Sequence, residues 1–335
     1  MSTTTPISMA DVARHAGVSA QTVSRVSNGA PGVKGPTRER VLRAMRELKY
    51  RPNSAARALK RGSFRSIAVV LSDLSSTGNL RTLRGVVEAA AASDYSVTVR
   101  TLGALTNESL RGAFDRLSES AVDAAVLLVE MDASAELNLD TLPLDRLVIV
   151  DSHAATAFPV VDSDQAAGAR QAVDHLLALG HRGIHHVSGP ARSFSSRARA
   201  AAWRERIEER GLYAPDLIQG DWSAESGYQA GHRLADLGSA TAVFVANDEM
   251  ALGLLRAFGE RGVRVPEDIS VIGFDDIELA PNFPVPLTTV HQDFDRVGAL
   301  CVETVLRQID SGVVTPGLTV VPTRLVVRAS TSAPD

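Results

Sequence analysis

Cysteine and long hydrophobic runs are both scarce in this chain of 335 residues. The single cysteine, Cys301, excludes an internal disulfide framework and is typical of a protein from a reducing compartment. No stretch of about 18 consecutive apolar residues occurs, so no membrane span is predicted. The N-terminus also lacks the basic start and apolar stretch of a secretory signal. These absences predict a cytoplasmic protein without a membrane partner.

Catalytic and cofactor motifs are absent as well. The sequence contains no phosphate-binding loop, no dinucleotide fingerprint, no serine-hydrolase elbow and no zinc-peptidase helix. His181, His185 and His186 form the only histidine cluster, and two of them lie in a predicted strand, which disfavours a metal site. Asp275 and Asp276 are adjacent in a predicted strand, so they face opposite ways and do not form a glycosidase acid pair. We therefore expect no catalysis, no metal and no cofactor.

The net charge of −4 conceals an uneven distribution. Residues 9–63 contain 12 Lys or Arg and three acidic residues, which gives this segment +9 and leaves −13 on the rest of the chain. An apolar content of 44% and a length of 335 residues indicate a globular protein of more than one domain. A small basic segment on an acidic body is typical of a nucleic-acid-binding module joined to another domain.

The segment 7–29 has the layout of two short helices joined by a glycine turn. Ser8 and Asp11 have the spacing of a capping box, Gly17 breaks the first helix, and Ser19 caps the second. Apolar residues at helical spacing give each helix an inward face. This layout is that of a DNA-reading helix-turn-helix.

The second helix exposes polar side chains that carry the donors and acceptors required by base edges and phosphates. Gln21 is chemically suited to adenine and Arg25 to guanine. Lys34 and Tyr50 are candidate phosphate contacts. The candidate DNA-contacting residues on this helix are Ala20, Gln21, Thr22, Ser24 and Arg25.

A third helix is predicted from Thr37, which would cap it, to Leu48. Its inward face, which would close a three-helix core, comprises Val41, Leu42, Met45 and Leu48. The segment 51–63 then begins with a proline boundary and has room for about two helical turns, which is too short to be stable alone. We expect it to become ordered against DNA or a second subunit.

Beyond Ile67 the pattern changes to apolar runs that alternate with amphipathic helices. Strands without polar alternation, each followed by a helix, predict parallel sheets covered on both faces, and a break near residues 160–162 predicts two doubly wound subdomains. The predicted strands are 67–71, 97–102, 124–129, 147–151, 184–189, 242–248 and 269–276. The predicted helices lie near 82–93, 107–119, 164–179, 195–210, 223–237, 249–262 and 293–310.

Several long motifs resemble the LacI family of bacterial transcription regulators, and the resemblance covers essentially residues 7–330. The N-terminal motifs are MADVARHAGVSAQTVSRVSNG and TRERVLRAMRELKYRPNSAARALKRG. The later motifs are DHLLALGHRGI, SGP, RARAAAW, GDWSAESGYQAG, VANDEMALG, VPEDISVIGFDD and PLTTVHQDF.

The resemblance implies an α/β protein with an N-terminal all-α helix-turn-helix domain and a periplasmic-binding-protein-like core of two doubly wound parallel-sheet subdomains, linked by three crossovers. It places the DNA-binding domain at 7–50, a hinge helix and linker at 51–63, and the core at 65–330. The expected N-subdomain is about 65–161 and 293–319, and the expected C-subdomain is about 162–291 and 320–330.

The same resemblance implies a homodimer on near-palindromic, double-stranded operator DNA. The recognition helix would enter the major groove, with Asn28 near its end as a further DNA contact. Paired hinge helices carrying Asn53, Ala56 and Leu59 would insert the leucine into the minor groove, where an apolar wedge bends the duplex. The sequence after Arg328 offers no leucine heptad, so we expect a dimer and not a tetramer.

A small effector is expected between the two core subdomains. The Arg199 guanidinium suits two neighbouring sugar hydroxyls, and Trp222 either stacks on a sugar or belongs to the core. Asn247 and Asp275 lie at the carboxyl ends of predicted strands, where open α/β sheets bind ligands. The full set of candidate ligand residues is Leu74, Asp151, Arg199, Trp222, Asn247, Asp275, Gln292 and Phe294.

The sequence thus predicts a non-enzymatic repressor that a sugar or glycoside inducer releases from its operator. The main alternative is a corepressor-type regulator whose DNA binding is strengthened by a purine or another metabolite. A sugar-acting enzyme and a pure solute-binding protein are disfavoured, because the chain lacks a catalytic constellation and a secretory signal.

Overall fold

The computed structural model describes residues 7–50, 63–72, 74, 76–103, 106–119, 121–129, 139, 142, 144–150, 157–238 and 240–334. The chain divides into two compact units, with the boundary between Phe64 and Arg65. Three predicted DNA contacts in the hinge (Asn53, Ala56 and Leu59) and the candidate ligand residue Asp151 lie outside the described residues.

The N-terminal unit contains three helices, α1 (Met9–Ala16), α2 (Ala20–Ser27) and α3 (Gly35–Glu47). Leu42 is 39% exposed, so its predicted place in the core is wrong. It lies about 100° around the helix from Val41, outside the face that repeats every three to four residues. The core between the helices comprises Val12, Ala13, Ala16, Val23, Val26, Val41, Ala44 and Met45.

The ends of the first two helices are formed as predicted. The Ser8 and Asp11 side chains each accept the backbone N–H of the other, at 3.3 and 3.0 Å, and Gly17 has a left-handed φ of 61°. Ser19 Oγ accepts the Thr22 N–H at 3.1 Å. These contacts satisfy donors that the first turn of a helix leaves unpaired.

The predicted start of the third helix is wrong. Thr37 lies inside α3, which begins at Gly35 after Lys34 and has no side-chain cap. Pro36 falls in the first helical turn, where its missing N–H is not needed and its fixed φ already suits a helix. The proline therefore allows the helix to begin upstream of Thr37.

The larger unit begins with a six-stranded parallel sheet in the order β11-β5-β4-β3-β1-β2. Helices α4 (Thr77–Ala92) and α10 (Phe294–Ser311) cover one face, and α5 (Asn107–Ser118) covers the other. The strands are β1 (Ser66–Leu71), β2 (Ser96–Thr101), β3 (Ala124–Leu128), β4 (Leu147–Val150), β5 (Pro159–Ser163) and β11 (Gly317–Val321).

A second parallel sheet has the order β7-β6-β8-β9. Its strands are β6 (Ile184–Ser188), β7 (Ile218–Gln219), β8 (Ala242–Val245) and β9 (Ser270–Ile272). Helices α6 (Gln165–Ala178) and α7 (Phe194–Glu208) pack on one face, and α8 (Ala224–Leu237) and α9 (Asp248–Glu260) pack on the other. An antiparallel pair, β10 (Thr289–His291) and β12 (Arg324–Val326), lies beside them.

The chain passes between the two sheets three times, near Asp164, Gln292 and Pro322. Each parallel sheet directs the carboxyl ends of its strands toward these passages. Open α/β folds bind ligands at such strand ends. The architecture therefore places a cleft where the three passages lie.

The predicted fold class is confirmed, and all seven predicted strands are present. The structure adds five strands: β5, β7, β10, β11 and β12. The expected break at residues 160–162 is itself β5, which continues the first sheet. Strands of two or three residues, such as β7 and β10, are too short to leave a periodic signal in the sequence.

Close helix packing gives a test of this fold. Gly253 of α9 lies against α8, and a Cβ there would fall 1.7 Å from the Ala224 carbonyl oxygen, whereas a Cβ on Gly259 of the same helix meets nothing within 4 Å. We expect Gly253→Ala to lower the free energy of unfolding by at least about 1–3 kcal/mol, the usual range for overpacking. The matched control Gly259→Ala should raise it by about 0.5–1 kcal/mol. Urea unfolding of both variants checks this, and equal effects would contradict the packing.

Candidate functional site

The second helix of the N-terminal unit presents a polar surface, as predicted. Ala20, Gln21, Arg25 and Asn28 are exposed, while Val23 and Val26 are buried beneath them. The Gln21 side chain has no hydrogen bond within the described part of the chain, so its amide is available to a partner. Thr22 and Ser24 are half-buried: Thr22 bonds to Ser19, and Ser24 Oγ accepts from Asn28 Nδ2 at 3.3 Å.

Arg25 also has a structural contact that the sequence did not suggest. Its Nη2 donates to the Pro31 carbonyl at 2.8 Å, and Arg38 donates to the Ala30 carbonyl at 3.0 Å. The two guanidiniums hold the loop between α2 and α3. Of the two candidate phosphate contacts, Lys34 is exposed, and Tyr50 is half-buried against the small core.

A cavity of about 430 Å³ lies between the two sheets of the larger unit. Six of the predicted ligand residues line it: Arg199, Trp222, Asn247, Asp275, Gln292 and Phe294. Leu74 is 44% exposed and is not among the described lining residues. The helix α4 instead brings residues 76–79 to the cavity from the side of the first sheet.

Four buried polar side chains form a closed ring at the base of the cavity. Arg199 Nε donates to Gln165 Oε1 at 2.9 Å, and Gln165 Nε2 donates to Gln292 Oε1 at 3.1 Å. Gln292 Nε2 donates to Asp275 Oδ1 at 2.6 Å, and this oxygen lies 3.7 Å from Arg199 Nη1. The ring ties the ends of α6, α7, β9 and β10 together, so the polar groups around the cavity have fixed positions.

Two buried carboxyl groups at this site have raised pKa values. Burial raises the pKa of Asp275 to about 7, and nearby Glu249 adds to the shift while Arg199 opposes it. Burial likewise raises the pKa of Asp162, against hydrogen bonds from Gln165 and the Ser163 N–H. Perturbed carboxyls in a cleft are typical of functional sites. Burying these two carboxyl groups costs stability, and the surrounding fold compensates for this cost.

Trp222 provides an aromatic wall. Its indole packs over Gly189, where a Cβ would fall 2.4 Å from the ring, and the Arg199 guanidinium lies 5.5 Å from the ring centre. Trp222 and Asp275 both have positive φ, 75° and 107°. Such backbone conformations cost about 1–3 kcal/mol each in non-glycine residues and cluster at ligand sites.

Polar contacts cross the cavity from one sheet to the other. Thr77 Oγ1, at the start of α4, donates to Glu249 Oε1 at the start of α9. Arg81 Nη1 lies 3.4 and 3.3 Å from the carbonyl oxygens of Asp275 and Asp276. The two halves of the larger unit are thus linked across the cavity by hydrogen bonds.

Several predicted residues have hydrogen-bond partners that distinguish their roles from one another. Asn247 caps α9 through the Met250 N–H at 2.9 Å and donates to the Trp222 carbonyl at 3.0 Å. Asp276 points away from Asp275 and pairs with Arg328 at 2.6 Å. The expectation that these two carboxylates face apart is therefore correct.

The residues that sequence reasoning missed include Thr77, Asp162, Gln165 and Glu249 in the cavity lining, and Arg81, which makes contacts across the cavity. Glu249 stands two positions after Asn247 in a motif that the sequence analysis had singled out, which was a usable signal. Gln165 and Thr77 carried none, because an amide or a hydroxyl at a helix start usually serves as a cap.

Comparison with known proteins agrees with this architecture. Residues 8–53 match the model of bacterial regulatory proteins of the lacI family, and residues 173–331 match a periplasmic binding protein-like domain. The lactose operon repressor of Escherichia coli (strain K12) is 36% identical, over 98% of this chain and 92% of that protein. The chain belongs to the LacI family. It is accordingly a DNA-binding transcriptional repressor of that family.

Other LacI-family comparisons extend over the same length. The HTH-type transcriptional repressor PurR of Haemophilus influenzae is 31% identical, over 96% of this chain and 97% of that protein. A crystal structure of the lac repressor dimer bound to operator and the anti-inducer ONPF superposes with a TM-score of 0.89 at 35% identity, covering 98% of this chain and all of that one. These relatives are all named as repressors.

Two features are absent from the described residues. No described helix combines the length and the hydropathy that a bilayer-spanning segment needs. Within the same ranges, His, Cys, Asp and Glu side chains do not gather into a group of three that could hold a metal ion.

The buried Asp162 carboxyl of this LacI-family protein should give a measurable pH effect. Because burial raises its pKa in the native state, stability from the neutral carboxyl is present at low pH and is lost as pH rises through the raised pKa. Asp162→Asn retains an oxygen for the Ser163 N–H and cannot ionise. We expect this variant to gain stability relative to the parent protein between pH 5 and pH 8, measured by urea unfolding. The same difference at both pH values would show that the pKa of Asp162 is not raised in the native state.

Proposed function

We propose that this protein is a cytoplasmic homodimer that represses transcription from a near-palindromic operator and is released by a small sugar or glycoside. It acts by binding and not by catalysis. The observation that carries the proposal is the presence, in one LacI-family chain, of an exposed polar recognition helix and of a polar cavity between two linked sheets.

The DNA-binding part is supported by the surface of α2. The Gln21 side chain is exposed and makes no hydrogen bond within the described residues. Val23 and Val26 fix the opposite face of the helix to the core of the N-terminal unit, which leaves the polar face available for a major groove. The positive charge of residues 9–63 supplies the electrostatic attraction to phosphates. A relative that was solved as a dimer on operator supports the same arrangement here.

The effector part is supported by the size and lining of the cavity. A volume of about 430 Å³ falls within the usual range of small-molecule sites, about 300–1,000 Å³. Trp222 offers an apolar face, while the ring around Arg199 offers fixed donors and acceptors. Sugars combine apolar faces with hydroxyl groups, so they match this lining.

The release mechanism follows from the hydrogen bonds across the cavity. A ligand shifts the protein toward the conformation that it binds better, by as much as its affinities for the two conformations differ. A sugar between Arg199 on one side and residues 76–79 on the other favours one separation of the two sheets. We propose that this separation disfavours operator binding.

A purine corepressor is a second candidate, because two aromatic rings line the cavity. Trp222 and Phe294 are both among the lining residues, and planar nucleobases stack on such rings. The 31% identity to a PurR repressor supports the same ligand class. In this case the ligand would strengthen binding to the operator.

Base reading by the recognition helix is testable through Gln21. We expect DNA selected from a random pool to contain a two-fold-symmetric site. On that site Gln21→Ala should cost about 1–3 kcal/mol per base pair read, roughly 5- to 150-fold in affinity. Titration of specific and random duplexes at fixed salt gives the ratio of their affinities. Replacing the exposed Arg43 of α3 by Ala should leave this ratio unchanged, and an equally unchanged ratio in Gln21→Ala would contradict base reading by Gln21.

Effector binding is testable through the two tryptophans of the chain. Trp222 lines the cavity, and Trp203 is fully buried in the core. We expect a bound ligand to change the fluorescence of the parent protein and of Trp203→Phe, but not of Trp222→Phe.

The ligand panel for this measurement comprises monosaccharides, disaccharides and purines, and gel shifts at fixed salt follow each ligand that binds. A sugar that lowers operator affinity supports the proposal, and a purine that raises it favours the second candidate. Operator affinity unaffected by every bound ligand would overturn both.

A further inference from the structure

A second cavity, of about 280 Å³, lies at the first of the three passages between the sheets. Helices α6 and α7 line it from one half of the larger unit, and β11 lines it from the other half. Asp162, Ser163 and Gln165 line both this cavity and the first one. The two cavities therefore share these three residues as a common wall.

One face of α7 forms a wall of small and aromatic side chains. Phe194, Ala198, Ala201 and Ala202 all line the second cavity. They stand three or four positions apart along the helix, so they lie on the same face over successive turns. The short alanine side chains leave the space that makes up the cavity.

The edge strand β11 supplies the apolar wall from the other half. Leu318 and Val320 line the cavity and are 47% and 44% exposed. Alternate residues of a strand point to the same face, and Leu318 pairs with Val160 of β5. Val160 is buried in the apolar cluster beneath α5, whereas Leu318 and Val320 do not belong to that cluster. The apolar face of the sheet thus continues beyond its helix into the second cavity.

The polar lining residues have partners within the protein. Asp164 caps α6 through the Ala167 N–H at 2.9 Å, and Arg170 Nη2 lies 3.5 Å from Glu205 Oε2. Those shared with the first cavity are held by the ring of buried polar side chains and by the Ser163 N–H. A charged ligand would lose hydration here without gaining an unpaired partner. A ligand gains mainly by burying apolar surface against the alanines, the leucine and the valine.

The size of the cavity limits the ligand further. An apolar cavity of about 150 Å³ in a protein interior accommodates benzene, so about 280 Å³ has room for one six-membered ring with a short substituent. An aromatic ring would pack against Phe194 in an offset or edge-to-face arrangement. A hydroxyl on the substituent would reach the half-exposed pair of Arg170 and Glu205, which offers both a donor and an acceptor.

We propose that the second cavity is a binding site for an uncharged aromatic alcohol or phenol with a single ring. The site goes beyond the proposed function, because it is separate from the cavity assigned to the effector and takes a different class of molecule. Its occupant would contact both halves of the larger unit. It would also contact Gln165, which belongs to the ring at the base of the first cavity.

Three ring compounds of nearly equal size test the ligand class. Benzyl alcohol is compared with benzoate and with protonated benzylamine at pH 7, by titration of the full chain followed by ligand-observed NMR. We expect benzyl alcohol to bind at least about tenfold more tightly than either ion, because each ion would bury a charge without an unpaired partner.

Two variants locate the bound molecule. Leu318→Ser removes part of the apolar wall and should weaken the binding of benzyl alcohol at least about fourfold, the contribution of one buried methylene group. Ala201→Leu places a larger side chain in the cavity and should weaken binding at least about tenfold; leucine is a good helix former, and Ala201 is exposed, so the fold is retained. Val313→Ser is the matched control, because Val313 is 61% exposed and is not among the described lining residues. It should leave binding unchanged.

The other outcomes contradict the inference. Absence of benzyl alcohol binding overturns the site. Equal binding of the alcohol and the two ions overturns the ligand class. Binding that is unaltered in both Leu318→Ser and Ala201→Leu shows that the molecule occupies another part of the protein, which also overturns the site. None of these results affects the proposed response to an effector in the first cavity.

Discussion

The cleft depends on one constraint: the guanidinium of Arg199, which is only 4% exposed, needs hydrogen-bond and charge partners. Burying a charge costs several kcal/mol unless it is compensated, and Arg199 meets this requirement through Gln165, Asp275 and the Ala246 carbonyl. These partners come from α6, from the end of β9 and from the end of β8. Gln292 closes this ring of hydrogen bonds. The ring therefore also fixes two of the three passages between the sheets, those near Asp164 and Gln292.

Interactions across the cavity differ in kind from those that hold each half together. Each sheet is covered on both faces by apolar side chains, whereas the described contacts across the cavity include the hydrogen bonds of Thr77 and Arg81. A net hydrogen bond contributes about 0.5–1.5 kcal/mol, far less than a buried apolar face. Each described hydrogen bond across the cavity therefore contributes far less to stability than the apolar packing within each half.

Local rules were sufficient for most of the fold and for part of the site. Caps, glycine breaks and apolar runs identified α1, α2 and all seven predicted strands, since these signals depend on neighbouring residues. They failed at Glu249, whose hydrogen bond from Thr77 joins residues 172 positions apart. They were also misapplied at Leu42, which lies outside the apolar face of its helix. Strand-end reasoning found Asp275 and Asn247, whereas Leu74 is not among the described residues that line the cavity.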